Sequence, residues 1–170
     1  MERDGTSGAR ATTLQQPSSE RQRGVTMAGT NDTNEELVRD YLRAFNERDH
    51  DRMTELLADD IVEHGIGEEL HGADEILDFL DAYFETFPDY SGTTDRMVSE
   101  GDTVAVRYTV SGTHTGEYRN VEPTGHKAEW AGLAMYRVED DRIAEIWIEE
   151  DRLGLLEQLE VLDPPAHLRV

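Results

Sequence analysis

The chain reads as an α+β protein. It is expected to be a cone-shaped barrel: three N-terminal helices packed on a curved, mainly antiparallel sheet, closed by a short C-terminal helix. Three observations predict this. Apolar residues recur with helical spacing in three segments of the first half. From about residue 93 the period drops to two, over stretches punctuated by hairpin signals at Glu100-Gly101 and Asp140-Asp141. Helical spacing then returns at Leu155, Leu156 and Leu159. Helices followed by a run of strands segregate onto one face of an antiparallel sheet.

The elements follow in order. Residues 1–33 are rich in Ser, Thr, Gln, Gly and Arg without an apolar period, and are expected to be a disordered tail. Met27 inside it opens a plausible shorter chain. The cone domain is expected over 34–162, with a second tail at 163–170. Asn34 is a good N-cap, followed by Glu35 and Glu36 where the helix dipole favours anions. Leu37, Tyr41 and Phe45 then mark one face of a helix to about Glu47. Met53, Leu56 and Leu57 suit a second, short helix. "DDIVEHG" (59–65) reads as a short strand ended by glycine. "GADEILDFLDAYFETFPD" (72–89) is a third helix with Ile76, Leu80, Tyr83, Phe84 and Phe87 in its stripe, stopped by Pro88. Four strands in two hairpins follow, and the last helix begins near Arg152.

Charge is the dominant feature of composition. The 170 residues include 38 acidic and 16 basic side chains, for a net charge of −22, and only one of the basic residues, Lys127, is lysine. With periodic apolar segments to build a core, this balance suggests a folded domain with an acidic, halophilic surface, functional where the screening length is roughly 3 Å. Such a surface repels phosphate backbones, so no nucleic-acid partner is expected. No apolar run approaches the roughly 18 residues that span a bilayer, and the N-terminus lacks the apolar segment of a secretory signal. A cytoplasmic protein without a membrane partner is the expectation. There is no cysteine, which excludes disulfides and thiolate chemistry. The histidines show no HxH or HExxH spacing, so no metal site is expected.

Four pieces of sequence together resemble the SnoaL-like polyketide cyclases, or ester cyclases, of the nuclear-transport-factor-2-like superfamily. They are "YLRAFNERDHDRMTELLADDIVEH" (41–64), "FPDY" (87–90), "GDTVAVRYTVSGTHTGEY…PTGHKAEWAGLAMYRVEDDRIAEIW" (101–147) and "DRLGLLEQL" (151–159). The resemblance implies a cofactor-free, intramolecular aldol-type ring closure of a small hydrophobic or carbonyl-bearing ligand, and a homodimer or higher homo-oligomer formed through the sheet. Isomerase and epoxide-hydrolase-like chemistries occur on the same fold. A module that binds a small molecule without turnover is a further alternative.

The family's catalytic aspartate lies just before the closing helix, and Asp151 is the matching position. If the strand from Ile143 is regular, Glu145, Trp147, Glu149 and Asp151 share one face. A carboxylate on the apolar side of that sheet would have a raised pKa suited to proton transfer. Asp151 is equally suited to cap the helix that follows. Trp147 would wall a flat substrate or fill the core, with Tyr41 and Trp130 as further aromatic candidates for substrate contact and Glu149 as a rim carboxylate. His64, ending the first strand, and His114, in "GTHTG", are candidates to hold a developing oxyanion or relay a proton.

Overall fold

The computed structural model describes residues 27–65 and 67–162. Of the tail expected at 1–33, residues 1–26 lie outside the described residues and 27–33 are helical instead; the tail expected at 163–170 also lies outside them. Helix α1 (Met27–Glu47) starts seven residues earlier than its expected cap. Asn34 sits inside the helix, buried, and its Nδ2 donates to the Gly101 carbonyl at 3.1 Å. The side chain suited to capping instead ties α1 to a distant turn. Val38, Tyr41 and Ala44 form the buried stripe of the helix.

Helix α2 (His50–Leu56) is capped by Asp49, whose side chain accepts from the Arg52 N–H at 3.0 Å. Strand β1 (Leu57–Gly65) pairs with a short β2 (Glu68–His71) that has no signal in the sequence. Helix α3 (Gly72–Thr86) ends two residues before Pro88, whose ring disfavours helical backbone in the residue preceding it. Hairpins β3 (Ser91–Glu100) with β4 (Thr103–Thr113), and β5 (Lys127–Glu139) with β6 (Arg142–Glu150), turn where expected. Asp140 and Asp141 both take positive φ, 49° and 60°, the geometry of a two-residue type I′ turn. Helix α4 (Arg152–Gln158) follows.

The six strands form one sheet in the order β2-β1-β6-β5-β4-β3. Every pairing is antiparallel except β1 with β6, which is parallel. This is the expected α+β architecture. One apolar cluster joins α1, α2 and α3 to the concave face of the sheet through Met53, Ile61, Ile76, Val106 and Ile146. A second, built on Phe87, Tyr118, Trp130, Leu155 and Leu159, seals the end under α4. The convex face keeps Leu133, Met135 and Val98 exposed. Among the described residues no helix is long and apolar enough to cross a membrane.

A register shift in the β5–β6 ladder decides which side chains of β6 face the helices. Val138 pairs with Ile143 but Arg137 pairs with Glu145, which leaves Ala144 as an extra residue. Ile143 and Ala144 are buried in succession, and beyond them Ile146 is the buried position. Such a bulge reverses the alternation of every later side chain.

Candidate active site

Between α1, α3 and the concave sheet lies a cavity of about 90 Å³. That is room for several waters and less than the 300–1,000 Å³ that drug-sized ligands occupy. Its walls are aromatic and aliphatic: Tyr41, Phe45, Tyr83, Tyr90, Tyr108, Tyr136, Ile146 and Ile148. Asn46, Thr93 and Thr94 line it as well and are exposed, so the cavity meets solvent where the end of α1 approaches β3. The described lining includes two carboxylates, Glu63 and Glu150, and neither aspartate nor arginine.

Each glutamate is turned inward by strand parity. On β1, Glu63 shares the buried side with Ile61. On β6, the bulge at Ala144 puts Ile146, Ile148 and Glu150 on the cavity side. Glu150 pairs across the ladder with Gly132, which pairs in turn with Tyr108. A Cβ on Gly132 would overlap the Tyr108 ring. The missing side chain lets that ring cross β5, and its O–H donates to Glu150 Oε1 at 3.0 Å.

The two carboxyl groups feel different surroundings. Burial, reinforced by the charge of Glu150, pushes Glu63 from 4.5 up to about 7. Burial also leaves Glu150 raised, with the Tyr108 hydroxyl, the Arg152 charge and the nearby Trp130 indole offsetting part of the rise. The Trp130 N–H is near enough to act on Glu150 without reaching hydrogen-bond geometry. Two carboxyl groups separated in this way suit one proton donor and one acceptor. Burial and the Glu63 charge raise Tyr41 and Tyr136, so both hydroxyls stay protonated donors.

Of the residues singled out in the sequence, Tyr41 lines this cavity. Trp130 is buried beside it, packed on Phe87 and Tyr90 with ring centroids 5.4 and 6.0 Å away. The others stand elsewhere. The alternation expected to turn Trp147, Glu149 and Asp151 inward fails at the bulge. Trp147 stacks on His64 at 5.4 Å, away from the cavity. His64 is held between Glu69 at 3.0 Å and Glu145 at 2.9 Å, and the hydrogen bond with Glu145 leads the effects that raise its pKa. Glu149 and His64 line a shallow groove at the strand ends with Arg152. Ile148 and Glu150 border both the groove and the cavity. His114 is fully buried under α3, where its Nδ1 accepts from the Thr124 N–H at 3.2 Å and burial lowers its pKa. A neutral ring fixed there is outside the described cavity lining.

Asp151 is exposed and caps α4, with Oδ1 accepting from the Gly154 N–H at 2.8 Å. Replacing it by alanine is expected to lower unfolding free energy by about 1 kcal/mol, and by asparagine to leave it nearly unchanged, since the two side chains cap equally well. Urea denaturation of the two variants checks this. Equal stability for all three proteins would mean the cap contributes nothing.

Glu63 could have been found from the sequence, because "DDIVEHG" places it in phase with Ile61. Glu150 could not, since its orientation follows from the bulge.

Comparison with known proteins bears on these features. The family model for SnoaL-like polyketide cyclases matches residues 35–159. IdmH of Streptomyces antibioticus, provisionally classed as a polyketide cyclase, is 34% identical with a TM-score of 0.66, over 75% of this chain and 99% of that one. AclR of Streptomyces galilaeus, provisionally classed as a hydroxylase, is 27% identical with a TM-score of 0.70, over 81% of this chain and 100% of that one. An LEH-like epoxide hydrolase of M. tuberculosis shares the fold at 17% identity, with a TM-score of 0.63 over 77% and 92% of the two chains. No curated protein matches the chain.

Proposed function

The chain belongs to the SnoaL-like polyketide cyclase family, and from that premise we propose that it closes a ring in a small 1,3-dicarbonyl or keto-ester substrate by proton transfer between the substrate and two glutamates. The observation that carries this reading is the pair Glu63 and Glu150 in one apolar cavity, with Glu63 poised at about 7.

Glu150, whose carboxylate accepts the Tyr108 hydroxyl, is the base. It takes the acidic C–H proton between two carbonyl groups, and the electron pair of that bond moves to a carbonyl oxygen to give an enolate. The enolate carbon attacks a second carbonyl of the same molecule and forms the new C–C bond. The alkoxide that results takes a proton from Glu63. Glu150 ends protonated and Glu63 ionised, so the net transfer of one proton back between them resets the site. Burial lifts both groups above the ordinary carboxylate range, Glu63 to about 7, toward the range useful for proton transfer. The family's position before the last helix, Asp151, keeps a capping role in this reading, and the carboxylate one residue earlier does the chemistry.

The test is a screen of small β-keto esters and 1,3-diketones that carry a tethered carbonyl, followed by Glu150→Gln on any compound that turns over. Glutamine keeps the shape and cannot take the proton. Turnover is expected to fall roughly 10²–10⁴-fold, the usual contribution of a general base. Wild-type turnover in that variant would remove Glu150 from the mechanism.

A further inference from the structure

Five buried polar side-chain atoms lack a hydrogen-bond partner among the described residues, and three of them are neighbours of Glu150. They are Tyr83 Oη, Trp130 Nε1 and Arg152 Nη2. Trp130 lies two residues from Gly132, the β5 partner of Glu150, on the same inward side of that strand. Tyr83 and Trp130 both pack on Phe87 and on Tyr90. Arg152 follows Glu150 by two residues, and its charge is felt by both Glu150 and Tyr83. Arg39, Arg43, Arg52, Arg107, Arg137 and Arg142 each sit in an ion pair. Arg152, like Arg48 and Arg96, is in none of these pairs, and its Nη2 is buried without a hydrogen-bond partner among the described residues.

An indole N–H and a guanidinium can only donate, and burial keeps the Tyr83 hydroxyl protonated. Three donors without an acceptor cost the fold stability, because each is dehydrated without replacement. Their complement is an oxygen that carries or develops negative charge. The enolate oxygen must also form close to the base that removes the C–H proton, since both belong to one carbon–carbonyl unit. On a protein of net charge −22, only local donors can hold such an anion.

We propose that Tyr83, Trp130 and Arg152 form an oxyanion subsite beside Glu150 that takes the enolate oxygen of a 1,3-dicarbonyl substrate. This rests on the reading of Glu150 as the base. As Glu150 gains the proton it loses its charge, so the new anion on the oxygen meets three donors and no opposing carboxylate on that side. No oxidant, reductant or leaving group is involved.

The probe is acetylacetone, a small 1,3-diketone matched to the cavity, whose neutral enol and enolate absorb at different wavelengths. Titrated into the intact protein, below the pH at which the free diketone ionises, it is expected to show the enolate band. Tyr83→Phe and Arg152→Gln are each expected to lower the bound enolate-to-enol ratio roughly tenfold, as loss of one hydrogen bond to a charged group does, while the neutral form still binds. Melting curves on the same samples establish that the variants are folded, and Tyr83→Phe preserves the ring packing should Arg152→Gln fail. A wild-type protein that binds no diketone, or binds it without favouring the enolate, overturns the proposal. So does an unchanged ratio in a folded variant, which would mean the donors serve only water. Failure of the base reading shows separately, as retained turnover in Glu150→Gln.

Discussion

Replacing Glu63 with glutamine is expected to raise stability above neutral pH while removing most of the turnover of any accepted substrate. The sign follows from the direction of the shift. Burial lifts the folded-state pKa of Glu63 from 4.5 to about 7. A carboxyl group raised in this way stabilises the fold fully below its unfolded value, and that stability is lost as pH climbs through the folded value. The loss accumulates between pH 4.5 and about 7 and amounts to about 3 kcal/mol. Glutamine is neutral throughout and loses nothing in that window. The two proteins should therefore melt alike at pH 4.5 and diverge progressively up to pH 8, with Glu63→Gln the more stable. Removing the acid that reprotonates the alkoxide should cost roughly 10²–10⁴-fold in rate. Circular-dichroism melts at pH 4.5, 6 and 8 decide the first half. A gap that does not widen with pH would mean Glu63 is not held in a dry site. A variant both more stable and less active cannot owe its inactivity to unfolding.

The second large effect concerns Phe87. The ring is fully buried and packs against Tyr83, His114, Tyr118 and Trp130, with centroids 5.4 to 5.8 Å away. Gly112 on β4 leaves the space it occupies, since a Cβ there would lie 3.0 Å from Phe87 Cβ. This one residue fastens the end of α3 to β4, β5 and the chain near Tyr118. Phe87→Ala is expected to lower stability by about 3–5 kcal/mol, combining lost burial with the cavity left behind. That is a large part of the roughly 5–15 kcal/mol that holds a domain of this size. A urea titration reads it directly, and a loss below 1 kcal/mol would show that the cluster closes around the gap.

The helices were readable because each depends on a local pattern. Leu37, Tyr41 and Phe45 repeat every four residues, and Pro88 cannot be absorbed into α3. The two hairpins were readable for the same reason, since Glu100-Gly101 and Asp140-Asp141 suit tight turns. What escaped is non-local. The parallel pairing of β1 with β6 joins residues over eighty positions apart, such as Val62 and Glu145, and no local spacing announces it. Asn34 looks like a cap until its bond to Gly101 is visible. Among the site residues Tyr41 could be placed from its helical face, and Glu63 was available through Ile61. Glu150 was hidden by its neighbour Asp151, which satisfies two sequence rules while facing away.

A strand has a frame of two, as a coding sequence has a frame of three, and the extra residue at Ala144 is a frameshift within β6. Deleting it would put Ile143 and Ile146 two positions apart, so simple alternation would keep Ile146, Ile148 and Glu150 on the side they hold now, each moved one place down the chain. The bulge therefore absorbs an inserted residue, and the lining beyond it is kept. For a family diversifying its pockets, this offers a route that point substitution does not: an acid can be passed to the adjacent position along the chain while the place it occupies in space stays the same. Relatives compared column by column would then seem to have lost a carboxylate that has only changed its number.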